Sequence, residues 1–112
     1  MKTKSLTLFF LAFLLSCTQV VQAGNQTGRI YSLNFRSSDG LVYFVMDGAS
    51  IEKPSCAKAS YWIVKDENSP TGKRIIAMLL AAKLANAAIV VKGSNLCDRW
   101  ADGESVEEIV IS

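Results

Sequence analysis

Histidine does not occur in this chain. Its absence removes the commonest general base near neutral pH and the commonest zinc ligand together. Cysteine is sparse, with only Cys17, Cys56 and Cys97, so neither a thiol cluster nor a cysteine-rich metal knuckle can be assembled. Excess charge is missing too. The formal net charge is +2, and it rests on Lys2 and Lys4 at the extreme N-terminus; without them basic and acidic residues balance, so no basic groove for nucleic acid is expected. Long hydrophobic runs are also lacking: the apolar stretch from Leu6 to Leu15 falls short of the roughly 20 residues that span a bilayer. There are no repeats, linkers or low-complexity segments.

What the N-terminus does carry is the grammar of an export signal. Lys2 and Lys4 precede the apolar stretch, and Val21-Gln22-Ala23 then supplies the small-residue pattern after which signal peptidase cuts. Residues 1–23 are thus expected to be a signal peptide, and residues 24–112 one small exported domain, secreted or periplasmic. A second reading stays open. Leu14-Leu15-Ser16-Cys17 loosely resembles a lipoprotein box, in which Cys17 would be lipidated, although Leu15 stands where a small residue is usual. Either cut leaves Cys56 and Cys97, an even number in an oxidising compartment, and they are expected to form one disulfide. Closing a loop of about 40 residues restricts the unfolded chain by roughly 4 kcal/mol, a large share of a small domain's stability.

With those cysteines oxidised, no good nucleophile and no metal set remain. Glu104, Glu107 and Glu108 read as the solvated face of a strand or turn rather than as paired acid and base. The expectation is a binding protein, not an enzyme, with no cofactor and no metal.

Between Gly28 and Phe35 polar and apolar residues alternate, placing Tyr31, Leu33 and Phe35 on one face of a half-buried strand and Ile30, Ser32 and Asn34 on the other. Asp39-Gly40 ends a turn, and Leu41 to Met46 is a continuously apolar second strand. Tyr61 to Val64 is the third. Ser69-Pro70 opens a helix, because the serine oxygen caps free amides and proline fits a first turn that needs no amide donor. That helix is expected to run to about Ala85, with Asn86 closing it in a left-handed conformation. Ile75, Ile76, Leu79, Leu80 and Leu84 give it an apolar stripe wider than one face. Ala88 to Lys92 and Ser105 to Ile111 complete the series. The order is β-β-β-α-β-β, that of a five-stranded OB barrel, and an α+β sandwich is its structural rival.

The chain also resembles the B subunits of bacterial A–B toxins, of the subtilase-cytotoxin and typhoid-toxin type. The resemblance lies in the small exported domain, in Thr27-Gly28-Arg29-Ile30 opening strand one, in the Gly40 to Asp47 strand, in Cys56 followed by Trp62 before the helix, and in the apolar strand followed by Cys97. It implies an OB-fold subunit in a ring of five, a homopentamer, with helices lining a pore and glycan pockets outside. A serine at the start of strand one serves the sugar pocket in that family, and Thr27 stands at the matching position. Asn25 and Gln26 beside it offer two amides; the same three residues read equally well as a polar N-terminal tail, and they also form a glycosylation sequon. Val90-Val91-Lys92 departs from the aromatic residues that the family's sialic-acid binders carry there. Trp62, inside a strand, is expected in the core, whereas Trp100 in a polar turn is a candidate for surface recognition. The function implied is carbohydrate binding at cell-surface glycans and carriage of a catalytic toxin chain. A free-standing exported OB module that binds a small ligand or protein partner is the alternative, and an inhibitor of an extracellular enzyme is a third.

Overall fold

The computed structural model describes residues 22–112, so all but the last two residues of the expected signal peptide, and the lipidation alternative at Cys17, lie outside the described residues. Chain order is β1 (Asn25–Gly28), β2 (Ile30–Arg36), β3 (Leu41–Met46), β4 (Ser50–Ile51), β5 (Trp62–Val64), α1 (Pro70–Ala85), β6 (Ile89–Gly93) and β7 (Glu104–Ile111). The protein is mainly β with one helix and one disulfide.

The helix forms where its caps require. Ser69 accepts a hydrogen bond from the Gly72 amide, Pro70 occupies the first turn, and Asn86 (φ 51°) turns left-handed, its amide donating to the Ala82 and Lys83 carbonyls. Strand β3 has the bounds expected of it. The β2–β3 hairpin closes through a bond of 2.8 Å from the Gly40 amide to the Arg36 carbonyl.

Seven strands stand where five were expected. The predicted first strand begins three residues earlier and breaks at Arg29, whose amide donates to the Asp47 carboxylate (2.6 Å) while its carbonyl accepts from the Asp47 amide (2.9 Å). Arg29 is therefore held by a neighbouring turn instead of a ladder, and the halves on either side go to different partners. The short β4 is the other addition.

The faces of β2 also differ from the alternation. A register shift between Ile30 and Ser32 buries Ile30 (4% exposed) and turns Tyr31 outward (78%), and Phe35 lies at 70%. Leu33 alone of the three expected apolar-face residues packs against the core.

The strands lie in the order β2-β3-β5-β7-β6-β1-β4, antiparallel throughout except for the parallel pair β5–β7. Because β1 and β2 are consecutive in the chain yet lie near opposite edges, the sheet must curl, making an open half-barrel. Helix α1 packs Leu79 and Ala82 into its concave side against Phe44, Trp62 and Val64. Trp62 is fully buried, as expected. Cys56 and Cys97 are joined, with their Cα atoms 6.2 Å apart, and link the loop before β5 to the loop after β6.

Candidate functional site

The residues proposed from the sequence do not gather at one place. Strand β1, which carries Asn25, Gln26 and Thr27, is flanked by β6 and β4 and is no free tail. Gln26 is buried, and its side chain is committed: Nε2 donates to the Gly48 carbonyl (2.8 Å) and the Asp47 carbonyl (3.3 Å), while Oε1 accepts from Trp62 Nε1 (2.8 Å). A residue with all these bonds in place has little to offer a ligand. Asn25 is half-buried and Thr27 exposed.

Trp100 stands elsewhere, in the loop between Cys97 and β7. There it joins a cleft of about 170 Å³ lined by Arg36, Leu41, Tyr43, Tyr61 and Trp100. The Arg36 guanidinium carbon lies 4.6 Å from the Trp100 ring centroid, a cation–π stack. Tyr43 and Tyr61 meet edge to face at 5.7 Å. The Tyr61 hydroxyl donates to the Asp102 carboxylate.

The fold holds this cleft through several independent ties. The disulfide fixes one end of the Trp100 loop to the loop before Tyr61, and the Ala59 amide donates to the Asp102 carbonyl at 3.0 Å. Arg99, next to Trp100, forks onto the Glu67 carboxylate (3.0 and 3.3 Å) and donates to the Asp39 carbonyl (3.0 Å), so the loop is pinned to both the hairpin and the segment before α1. On the hairpin, Arg36 forks onto Asp39 at 2.6 and 3.0 Å. The Arg36 hydrogen bond brings the Asp39 carboxyl down from 3.8 to about 2, and Arg99 holds Glu67 below its usual range. Burial pushes the Tyr61 phenol up, and the Asp102 hydrogen bond adds to that, so Tyr61 stays a protonated donor at neutral pH.

This is a cleft of flat aromatic faces, one indole, two phenols and one guanidinium. Its chemistry suits a ring-shaped ligand bearing hydroxyl groups, stacked on one face and hydrogen-bonded at its edge. Arg36, Tyr43 and Tyr61 were not singled out from the sequence. The sequence assigns them to a turn and two strands, and nothing local marks them as surface residues.

A second, larger hollow of about 580 Å³ runs between α1 and the β2–β3 hairpin, over Leu33, Phe35, Val42, Ile76 and Leu80. It is apolar, with Glu67 and Asn68 at one side.

One carboxylate departs from expectation. Glu107 and Glu108 are exposed as the sequence suggested, and Glu108 pairs with Lys92 at 3.3 Å, but Glu104 is fully buried. As the first residue of β7 it sits at the parallel β5 pairing, its register partner Trp62, where the sheet has no solvent face.

Among the described residues no group of three histidine, cysteine, aspartate or glutamate side chains is placed to hold a metal ion, and no described helix is long and apolar enough to cross a membrane. Comparison of the chain with protein-family models, with curated proteins and with solved structures finds no match in any of the three.

Proposed function

We propose that this protein is an exported carbohydrate-binding module that associates with copies of itself, resembles the B subunits of A–B toxins, and recognises glycans at a cell surface. The observation that carries this reading is the cleft at Trp100, where an indole, two phenols and a guanidinium converge on a small open space. The finer fold assignment is a five-stranded OB barrel whose first strand is broken at Arg29. Supporting it are the two halves of that strand lying against β3 and β6, the parallel pairing of β5 with β7, and the helix between the third and fourth long strands.

Self-association is supported by apolar side chains left uncovered on one side: Leu80 (50% exposed) and Leu84 (79%) on α1, beside Phe35 on the edge strand β2. In a ring, weak single-site binding is multiplied by copies presented to one membrane. A catalytic chain carried by that ring is part of the same proposal.

A glycan array tests it, with wild type compared against Trp100→Ala and Thr27→Ala. Trp100→Ala should abolish capture and Thr27→Ala should leave most of it. The reverse outcome would move the site to β1, and a wild-type protein that captures no glycan would remove the carbohydrate reading. In that case the apolar hollow over Ile76 and Leu80 favours the second reading, a free-standing exported module that binds a protein partner or a small apolar ligand.

A further inference from the structure

The fully buried Glu104 carboxylate has a partner on one oxygen only. Its Oε2 accepts hydrogen bonds from the Gly24 amide (3.0 Å) and the Asn95 amide (2.9 Å), whereas Oε1 is buried with no hydrogen-bond partner among the described residues. A buried carboxylate without a counter-ion is strongly disfavoured. Among the described residues no cation forms an ion pair with it. The nearby ammonium, that of Lys53, feels the Glu104 charge through space but makes no ion pair with it: burial pulls its pKa down, it reaches the Ala59 and Tyr61 carbonyls at 3.5 Å, and it sits 4.3 Å from the Trp62 ring centroid.

The pocket is shaped around a residue without a side chain at position 24. A Cβ on Gly24 would collide with Glu104 Oε1, and one on Gly93 would collide with the same carboxylate. Both carboxylate oxygens thus lie against the Gly24 backbone, which is itself buried and is anchored by a bond of 2.8 Å from the Gly93 amide to its carbonyl. Gly24 is also the residue that follows Ala23, the expected cleavage point.

We propose that Glu104 is the built-in receptor for the α-ammonium of Gly24, so that removal of the leader supplies the missing counter-ion from within the chain. Hydrolysis of the Ala23–Gly24 bond consumes one water, leaving a carboxylate on Ala23 and an amine on Gly24. An α-amine, with a pKa of about 7.7–8.0, takes up a proton at neutral pH. The single amide donor at 3.0 Å from Oε2 becomes a charged group with three donors, within reach of the orphaned Oε1. A chain that keeps its leader has a neutral amide there and, among the described residues, no ion-pair partner for the carboxyl group, so processing and final stability are linked. The proposal rests on cleavage after Ala23 and is independent of the glycan reading.

The test uses the disulfide-bonded protein released from a cleavable fusion so that one form begins at Gly24 and another at Gln22, each as wild type and as Glu104→Gln. The wild-type form beginning at Gly24 should melt more than about 5 °C above the form beginning at Gln22. Glu104→Gln should close or invert that gap, because it lowers the melting point of the processed form and relieves the unprocessed one. Nα-acetylation of the Gly24 form should reproduce the loss without any side-chain change. Equal melting of the two wild-type forms, or a gap that survives Glu104→Gln, overturns the pairing. Intact mass of the naturally exported protein addresses the processing step separately, and an N-terminus other than Gly24 overturns that step.

Discussion

Gln26 ties the β3–β4 turn to the core tryptophan through one amide, and this makes it a structural residue in a position where a ligand-reading one was expected. Gln26→Ala should cost at least about 2 kcal/mol in denaturant unfolding, since it leaves the buried Trp62 N–H and the turn carbonyls unpartnered. The neighbouring Thr27→Ala, at an exposed position, should change stability by less than about 0.5 kcal/mol. A comparable cost for the two would show that β1 is stabilised by its backbone pairing alone. Asp39 gives a prediction in pH. Arg36 holds its carboxyl at about 2, below the ordinary 3.8, so the pair's contribution is complete above pH 4 and is lost as pH falls through about 2. Asp39→Asn should therefore melt below wild type at neutral pH and converge with it near pH 2, and the gap should narrow in high salt because the pair is exposed. A gap that persists at pH 2 would assign the effect to the hairpin's geometry. Single-residue burial was the least legible property in the sequence: Glu104 and Gln26 look like surface residues because nothing local reveals that a parallel strand and a turn will close over them.

Elements were far more legible, because their causes are local. Serine, proline and asparagine at fixed offsets mark both ends of α1, and a run of six apolar residues marks β3. The break at Arg29 was hidden because its cause is Asp47, a residue in another turn. The aromatic cleft was hidden for the same reason. Trp100 stood out as an exposed indole, yet its companions come from the hairpin and the start of β5 and meet only in the folded chain. The disulfide joins these levels, since it was expected from an even number of cysteines in a chain read as exported and turns out to tether the loop that carries Trp100. Replacing both Cys56 and Cys97 by serine should lower stability by up to about 4 kcal/mol, measured by urea unfolding. It should also weaken glycan capture beyond what the stability loss explains, because the Trp100 loop loses one of its fixed ends. Capture that stays unchanged at a temperature where the variant is fully folded would show that the ties from Arg99 and Asp102 suffice to position the loop.

At the scale of the whole molecule, the proposed self-association is tested on α1. Leu84→Glu with Leu80→Glu places charge on the uncovered side of α1, where neither side chain is buried in the described chain. Light scattering should find wild type as an oligomer at micromolar concentration and this variant as a folded monomer, while a wild-type monomer would exclude the ring. The strand order carries a different consequence. Strand β1 meets the two-residue β4 early but finds its longer neighbour only in β6, and β5 finds one of its neighbours only in β7, so no leading portion of the described chain can close the sheet by itself. Contacts this distant in sequence are slow to form, on the order of milliseconds to seconds. Nearly the full length of the described chain must therefore be available before the half-barrel can close, and its two ends are made in one late step.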